Sequence, residues 1–293
     1  MEQRKNVSVI GGDKRLFYAA KRLAALGYTV LRTGTAEEPT VQPGENTDLA
    51  GAVQNEILLF GLPFTKDGFS VFAPFAEKPI TIDTLCDLLD ENHVVLAGMI
   101  PPEAARRLRN TGARVIDYYT DEAFTRFNAI LTAEALTGIL IHTLPCALQK
   151  AEIGVTGYGR IGSILARNLR ALGAKVTVFA RRSETRLQAE KQGAAALPFE
   201  NLSDRCGLFR ALVNTVPAPI LGYDVLKNLP RSCVLIEAAG APYGIDEAAA
   251  KALGFTYISA PGLPGKYAPE SAGAAIADAA LRLLSGGEKE WNP

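Results

Sequence analysis

A chain of 293 residues, 48% of them hydrophobic, has material for a sizeable core and for two modest domains. Lys and Arg number 31 and Asp and Glu 31, so there is no electrostatic case for nucleic acid or a charged membrane surface as partner. No apolar run reaches the ~20 residues of a membrane span. The N-terminus leads into a strand and a turn rather than a signal-peptide core, so a cytoplasmic protein is expected. Cys86, Cys146, Cys206 and Cys233 are scattered without a C-x-x-C, as in a reducing compartment. With only His93 and His142 in the chain, no histidine-rich metal site is expected.

The chain opens as a βαβ unit. Residues 7–10 form an apolar strand, Gly11 and Gly12 turn the chain, and Asp13 is a good N-cap. Leu16, Ala20, Leu23 and Leu26 then line one helix face, Gly27 closes the helix, and residues 28–31 form a second strand. Gly11–Gly12–Asp13 thus lies at the carboxyl end of a first strand, where open α/β sheets bind ligands. The polar, Pro- and Gly-containing stretch 33–47 is predicted to be a loop. Strands follow at 57–62, 94–99 and 113–118, with helices from Asp83 or Thr84 to Leu89 and from Pro102 to Gly112. This alternation predicts a Rossmann-like or flavodoxin-like first domain over residues 1–125, serving substrate or partner.

From Asp121 the composition becomes more apolar. Thr132 can cap a helix carrying Leu136, Ile139 and Leu140, which is expected to bridge the domains. His142 falls late on that helix among apolar neighbours and is given a structural role.

Residues 152–182 organise the second half. An apolar strand runs into Gly157, Gly159 and Gly162, a G-x-G-x-x-G, and a helix with Ile161, Ile164, Leu165, Leu169 and Leu172 follows, ended by Gly173. Residues 176–179 supply the next strand. In such a turn the first glycine allows the tight bend, the second admits a pyrophosphate, and the third lets helix and strand approach. The free amides of the helix start, from Tyr158 through Arg160 and Ile161, would face the phosphates. An NAD site places a carboxylate about 20 residues on, at the ribose. Here that place holds Arg181 and Arg182, whose guanidinium forks suit a 2′-phosphate. NADP is therefore the expected cofactor.

The remainder reads as further βα units of a doubly wound domain. Asn214, Thr215 and Pro217, with the turns at 237–242 and 261–273, are expected to line the carboxyl edge of its sheet beside the cofactor. The 261–273 stretch is rich in Gly and Pro and is predicted to be irregular, offering Lys266 and Ser271 to an anionic substrate. A nucleotide domain over 126–273 is followed by an apolar helix from Ala274 to Leu284 and a short polar tail. That helix is expected to pack back on the first domain. A 2-hydroxyacid dehydrogenase would share the layout but needs a histidine in its late catalytic loop. None occurs after His142.

Across nearly its full length the chain resembles the dipicolinate synthase A-subunit family. The resemblance rests on Gly11-Gly12-Asp13-Lys14-Arg15, Asn128, Thr132-Ala133-Glu134 and His142-Thr143. It continues through Gly157-x-Gly159-Arg160, Ala180-Arg181, Asn214-Thr215-Val216-Pro217, Gly262-Leu263-Pro264-Gly265, Ala268-Pro269 and Ala272-Gly273. The resemblance implies oxidation of dihydrodipicolinate to dipicolinate with NADP⁺ during endospore formation. It also implies a partner, the flavoprotein-like B subunit. A small dicarboxylate substrate needs two anion contacts, and Arg15 and Lys266 are the candidates. Asn128 and Thr132 are candidates to orient the ring, with Glu134 the obvious base. A homo-oligomer is expected. Two other readings stay open: a shikimate-dehydrogenase-like NADP oxidoreductase, suggested by Asn214-Thr215-x-Pro217, and a non-catalytic NADP-binding member of a complex.

Overall fold

The computed structural model describes residues 6–38 and 43–286. The first five residues, part of the expected loop at 39–42 and the expected polar tail from residue 287 lie outside the described residues. The opening apolar run is strand β1 (Asn6–Ile10), of which all but Asn6 is buried. Asp13 caps helix α1 (Lys14–Ala25) through its carboxylate, which accepts from Arg15 N at 3.1 Å. There follow β2 (Thr29–Thr33), β3 (Glu45–Asn46), α2 (Leu49–Ala52), β4 (Ile57–Phe60), α3 (Ile82–Leu88), β5 (Val94–Ala97), α4 (Pro102–Arg109) and β6 (Arg114–Asp117). All the strands pair in parallel, in the order β3-β2-β1-β4-β5-β6.

That order decides between the two expected topologies. It is the Rossmann arrangement, in which the fourth strand pairs with the first, and not the flavodoxin one. Strand β3 falls inside the stretch expected to be loop. It is two polar residues paired with β2 at the sheet edge, so no alternation of apolar residues marks it.

Helix α5 (Glu122–Thr143) begins ten residues before the expected cap. Its N-cap is Asp121, which accepts from Phe124 N at 2.7 Å, and Thr132 sits buried in mid-helix instead. Threonine is a credible cap by type, but the apolar face already starts at Phe124. Among the described residues this is the one helix long and apolar enough to cross a membrane. Its apolar residues are accounted for by packing: Phe124 lies in the first core, and Ala133, Leu136, Ile139 and Leu140 lie in the second.

The second sheet and its helices comprise β7 (Glu152–Thr156), α6 (Arg160–Ala171), β8 (Lys175–Phe179), α7 (Ser183–Lys191), β9 (Ala195–Leu197), α8 (Leu202–Arg205), β10 (Ala211–Asn214), α9 (Tyr223–Leu226), β11 (Val234–Glu237), α10 (Glu247–Ala252) and β12 (Thr256–Ser259). The strand order, β12-β11-β10-β7-β8-β9, repeats the first topology. Residues 129–263 form this unit. Residues from 264 to the end of the described chain at 286 return to the first, ahead of the expected boundary at 273.

The predicted irregular stretch at 261–273 is largely helical, as α11 (Leu263–Tyr267) and the start of α12 (Pro269–Leu284). Pro264 and Pro269 occupy first turns, where the missing N–H has no helical partner to lose. Gly273 is needed for approach: a Cβ there would lie 2.7 Å from Tyr18 Cβ and 2.9 Å from Ala19 N, as well as against Arg15 O. So α12 packs directly on α1, and Arg282 clamps it through a bidentate pair with Asp121 at 2.9 and 3.1 Å. We expect Gly273→Ala to separate these helices at a cost of about 1–3 kcal/mol of overpacking. A melting temperature lowered by several degrees is the readout, and an unchanged one would show that the contact is slack.

Candidate nucleotide-binding site

Strand β7 delivers a buried Thr156 to the glycine turn. Gly157 has φ +90°, and a Cβ on it would lie 2.6 Å from Thr215 Oγ1 and 2.8 Å from Val216 Cγ2. Its N–H is spent on Phe179 O at 2.8 Å, tying the turn to β8. Gly162 sits against the Gly157 carbonyl oxygen, which a Cβ would overlap. Gly159 differs from both. It is the N-cap of α6, and a Cβ there would meet nothing within 4 Å. Two glycines are thus required by the protein's own packing, and the middle one keeps space clear for something else. Helix α6 has no side-chain cap, so no capping side chain covers the amides of its first turn. Tyr158 and Ile161 are half-buried against the core beside the turn, and burial raises the Tyr158 hydroxyl above its ordinary range. Arg160, exposed at the first helical position, makes contacts of its own.

At the end of β8 the chain turns through Ala180 to Arg181 and Arg182, both exposed. Arg186 braces that turn, its Nη1 donating to Ala180 O at 2.9 Å and to Arg181 O at 2.7 Å. Among the described residues neither Arg181 nor Arg182 has an ion pair or side-chain hydrogen bond, so both forks are available. Uncapped amides, an open middle glycine and two free guanidiniums fit a phosphorylated dinucleotide.

Across the sheet from this turn, Thr156, Asn214 and Glu237 stand in register at the ends of adjacent strands. All three are buried, with at most 1% exposure. Thr156 Oγ1 donates to Asn214 Oδ1 at 2.6 Å, and Val216 N donates to the same oxygen at 3.1 Å. Asn214 Nδ2 donates to Val216 O at 2.9 Å and to Glu237 Oε1 at 2.7 Å. Both lone pairs and both N–H groups of Asn214 are therefore used inside the protein, and its side chain shapes the turn rather than reaching a ligand. Thr215 Oγ1 is likewise spent on Thr156 O at 2.7 Å, and Pro217 is exposed. Sequence reasoning missed the part played by Glu237. A charge closing the apolar run Val234–Glu237 was the available signal, because a buried carboxylate must find donors.

In the first unit the glycine turn is closed. Gly12 N donates to Phe72 O at 2.7 Å, and a Cβ on Gly11 would lie 2.9 Å from Ala73 Cβ. One on Gly34 would lie 2.9 Å from Ala76 Cβ. Residues 72–76 occupy the place expected for a ligand, so these glycines serve chain packing. Arg15 is 4% exposed, its Nε and Nη2 bonded to Asp13 at 2.8 Å each, and Nη2 also donates to Leu62 O. Gly265 lies against this pair, with a Cβ position 3.0 Å from Arg15 Nε, so Lys266 follows one residue away. Lys266 and Ser271 are exposed, without an ion pair among the described residues. Asn128 and Thr132 are one helical turn apart on α5 and share a face. Glu134 is exposed and lies about 200° round the helix from Thr132, so the three do not form one constellation.

Residues 6–119 match the family model of the N-terminal domain of the dipicolinate synthase A subunit. Residues 141–260 match that of the D-isomer specific 2-hydroxyacid dehydrogenase NAD binding domain, so this half is an NAD(P)-binding domain of dehydrogenase type. The 2-hydroxyacid dehydrogenase likeness, disfavoured for want of a histidine, thus holds for the nucleotide domain. Over 285 residues the chain is 24% identical to the dipicolinate synthase A subunit of Bacillus subtilis (strain 168), covering 95% of each. The crystal structure of the dipicolinate synthase A subunit from Bacillus halodurans superposes with a TM-score of 0.86 at 24% identity, over 96% of this chain and 98% of that one. Transhydrogenase from Sinorhizobium meliloti shares the fold at a TM-score of 0.73 and 17% identity, over 96% and 94%.

Proposed function

The chain belongs to the dipicolinate synthase A-subunit family, and on that premise we propose that it oxidises dihydrodipicolinate to dipicolinate with NADP⁺. What supports the reading above all is that the likeness to the Bacillus subtilis protein runs end to end, through both domains. In the reaction the ring gives up a hydride from one saturated carbon and a proton from its neighbour, and becomes an aromatic pyridine. NADP⁺, when bound, supplies the hydride acceptor. The chain's own part is to hold the dinucleotide on the α6 amides with Arg181 and Arg182, and to bind a dicarboxylate. Lys266 is the first candidate for a carboxylate contact, because its ammonium is exposed and has no ion pair among the described residues. Arg15 is the second, through the N–H groups of Nη1 that Asp13 leaves over. Asn128 and Thr132, sharing a face, are proposed to orient the ring. The protein is proposed to act in the cytoplasm, as a homo-oligomer and beside a flavoprotein-like B subunit.

The test is to supply freshly generated dihydrodipicolinate and NADP⁺ with and without the B-type partner. Dipicolinate should appear mole for mole with NADPH. No dipicolinate in either mixture, with NADPH still bound, overturns the reading in favour of a non-catalytic nucleotide-binding protein. Lys266→Ala should raise KM for the substrate about ten-fold, the loss of one charge-assisted hydrogen bond, with kcat changed less. An unchanged KM removes Lys266 from the site.

A further inference from the structure

Glu237 is 1% exposed and, among the described residues, has no Lys or Arg in ion-pair contact. Its charge is satisfied by N–H groups alone. Oε1 accepts from Asn214 Nδ2 at 2.7 Å and from Ala239 N at 2.9 Å. Oε2 accepts from Gly244 N at 2.9 Å and from Ile245 N at 2.8 Å. One carboxylate therefore closes the loop 238–245 at both its ends and joins it to the end of the neighbouring strand. Through Asn214 the connection continues to Val216, and Thr215 and Val216 are the residues that back Gly157. Two loops and the glycine turn are thus linked through a single buried side chain.

Their place in the sheet says which part of a dinucleotide they face. In a doubly wound sheet the two nucleotide halves lie on either side of the point where strand order reverses, here between β7 and β10. Arg181 and Arg182, after β8, mark the adenosine side. The loops after β10 and β11 stand on the other, the nicotinamide side.

We propose that Glu237 is a positioning residue for the nicotinamide half of the cofactor, holding the 214–217 turn and the 238–245 loop as one frame. This rests on the NADP reading above. Glutamine at this position cannot serve all four donors, because its amide nitrogen would face two N–H groups. Aspartate keeps an acceptor-only side chain, one methylene shorter.

Calorimetric binding of two probes tests it: NADPH, which spans both halves, and adenosine 2′,5′-bisphosphate, which fills only the adenosine half. Glu237→Gln should weaken NADPH about ten-fold or more, as expected when hydrogen bonds to a charged group are lost. It should leave the bisphosphate within about two-fold. Glu237→Asp should recover most of the NADPH affinity. Thr156→Val, which removes the donor to Asn214 Oδ1 and a longer contact to Val213 O at 3.5 Å, should weaken NADPH in the same selective way, and serves if Glu237→Gln does not fold. Equal weakening of both probes, or of neither, overturns the inference while leaving the proposed function standing. Wild-type protein that binds neither probe overturns both.

Discussion

Gly162→Ala is expected to abolish dinucleotide binding, with an affinity loss of roughly 100-fold or more, whereas Gly159→Ala should leave the fold untouched and weaken only the ligand. At Gly162 the added methyl would fall on the Gly157 carbonyl oxygen and 3.1 Å from Thr215 Oγ1. The first contact is backbone against helix backbone, so no rotamer relieves it. Helix α6 would have to withdraw from the turn, carrying its uncapped first turn with it, at about 1–3 kcal/mol in stability. At Gly159 the methyl meets no protein atom within 4 Å, and φ is −81°, which any residue adopts. Its stability effect should therefore stay within about 0.5 kcal/mol. Calorimetric NADPH titration with a thermal melt on each variant separates the two cases. Undiminished NADPH binding by Gly159→Ala would mean that the pyrophosphate does not pass over this turn.

The contrast between the two glycine turns also shows what sequence reading can reach. Both domains were legible as βα alternation, because buried parallel strands read as short apolar runs and each helix carried its face and its closing glycine. The G-x-G-x-x-G is, as its context suggests, a turn into a helix. Gly11 and Gly12 look equally like a ligand turn in the sequence, yet Phe72 and Ala73, some sixty residues on, fill the space above them. No local pattern announces such a contact. The same limit explains α11 and the start of α12. Gly265 and Gly273 read as helix breakers, when they are there for approach to the Asp13–Arg15 pair and to α1. Arg181 and Arg182 were legible as an exposed basic pair at a strand end, which is where the structure has them. Asn214 was legible as a marked residue but not for its task. That task is set by Thr156 and Glu237, which register brings beside it from two other strands.

If the cofactor is NADP(H), as proposed above, Arg181 and Arg182 set that choice, and the double Arg181→Ala, Arg182→Ala variant should reverse it. A charge-assisted hydrogen bond to phosphate contributes about 1.5–3 kcal/mol. These side chains are exposed, so solvent and salt screen them toward the lower figure. Each single change should then weaken NADP(H) about ten-fold, and the pair together about 100-fold, with NAD(H) affinity little altered. The turn itself should survive, because Arg186 holds it through the backbone carbonyls of Ala180 and Arg181 and needs neither side chain. Arg186→Ala should by the same logic loosen the turn and weaken the 2′-phosphate contact indirectly, through two guanidiniums left without a fixed base. Salt distinguishes the direct effect: wild-type NADP(H) affinity should fall between about 50 and 500 mM salt more steeply than that of the double variant. Tighter binding of NAD(H) than of NADP(H) by the wild-type protein would sink the assignment. The arginines would then be a solvated basic turn at the start of α7, and the ribose would have to be held without a carboxylate at the end of β8.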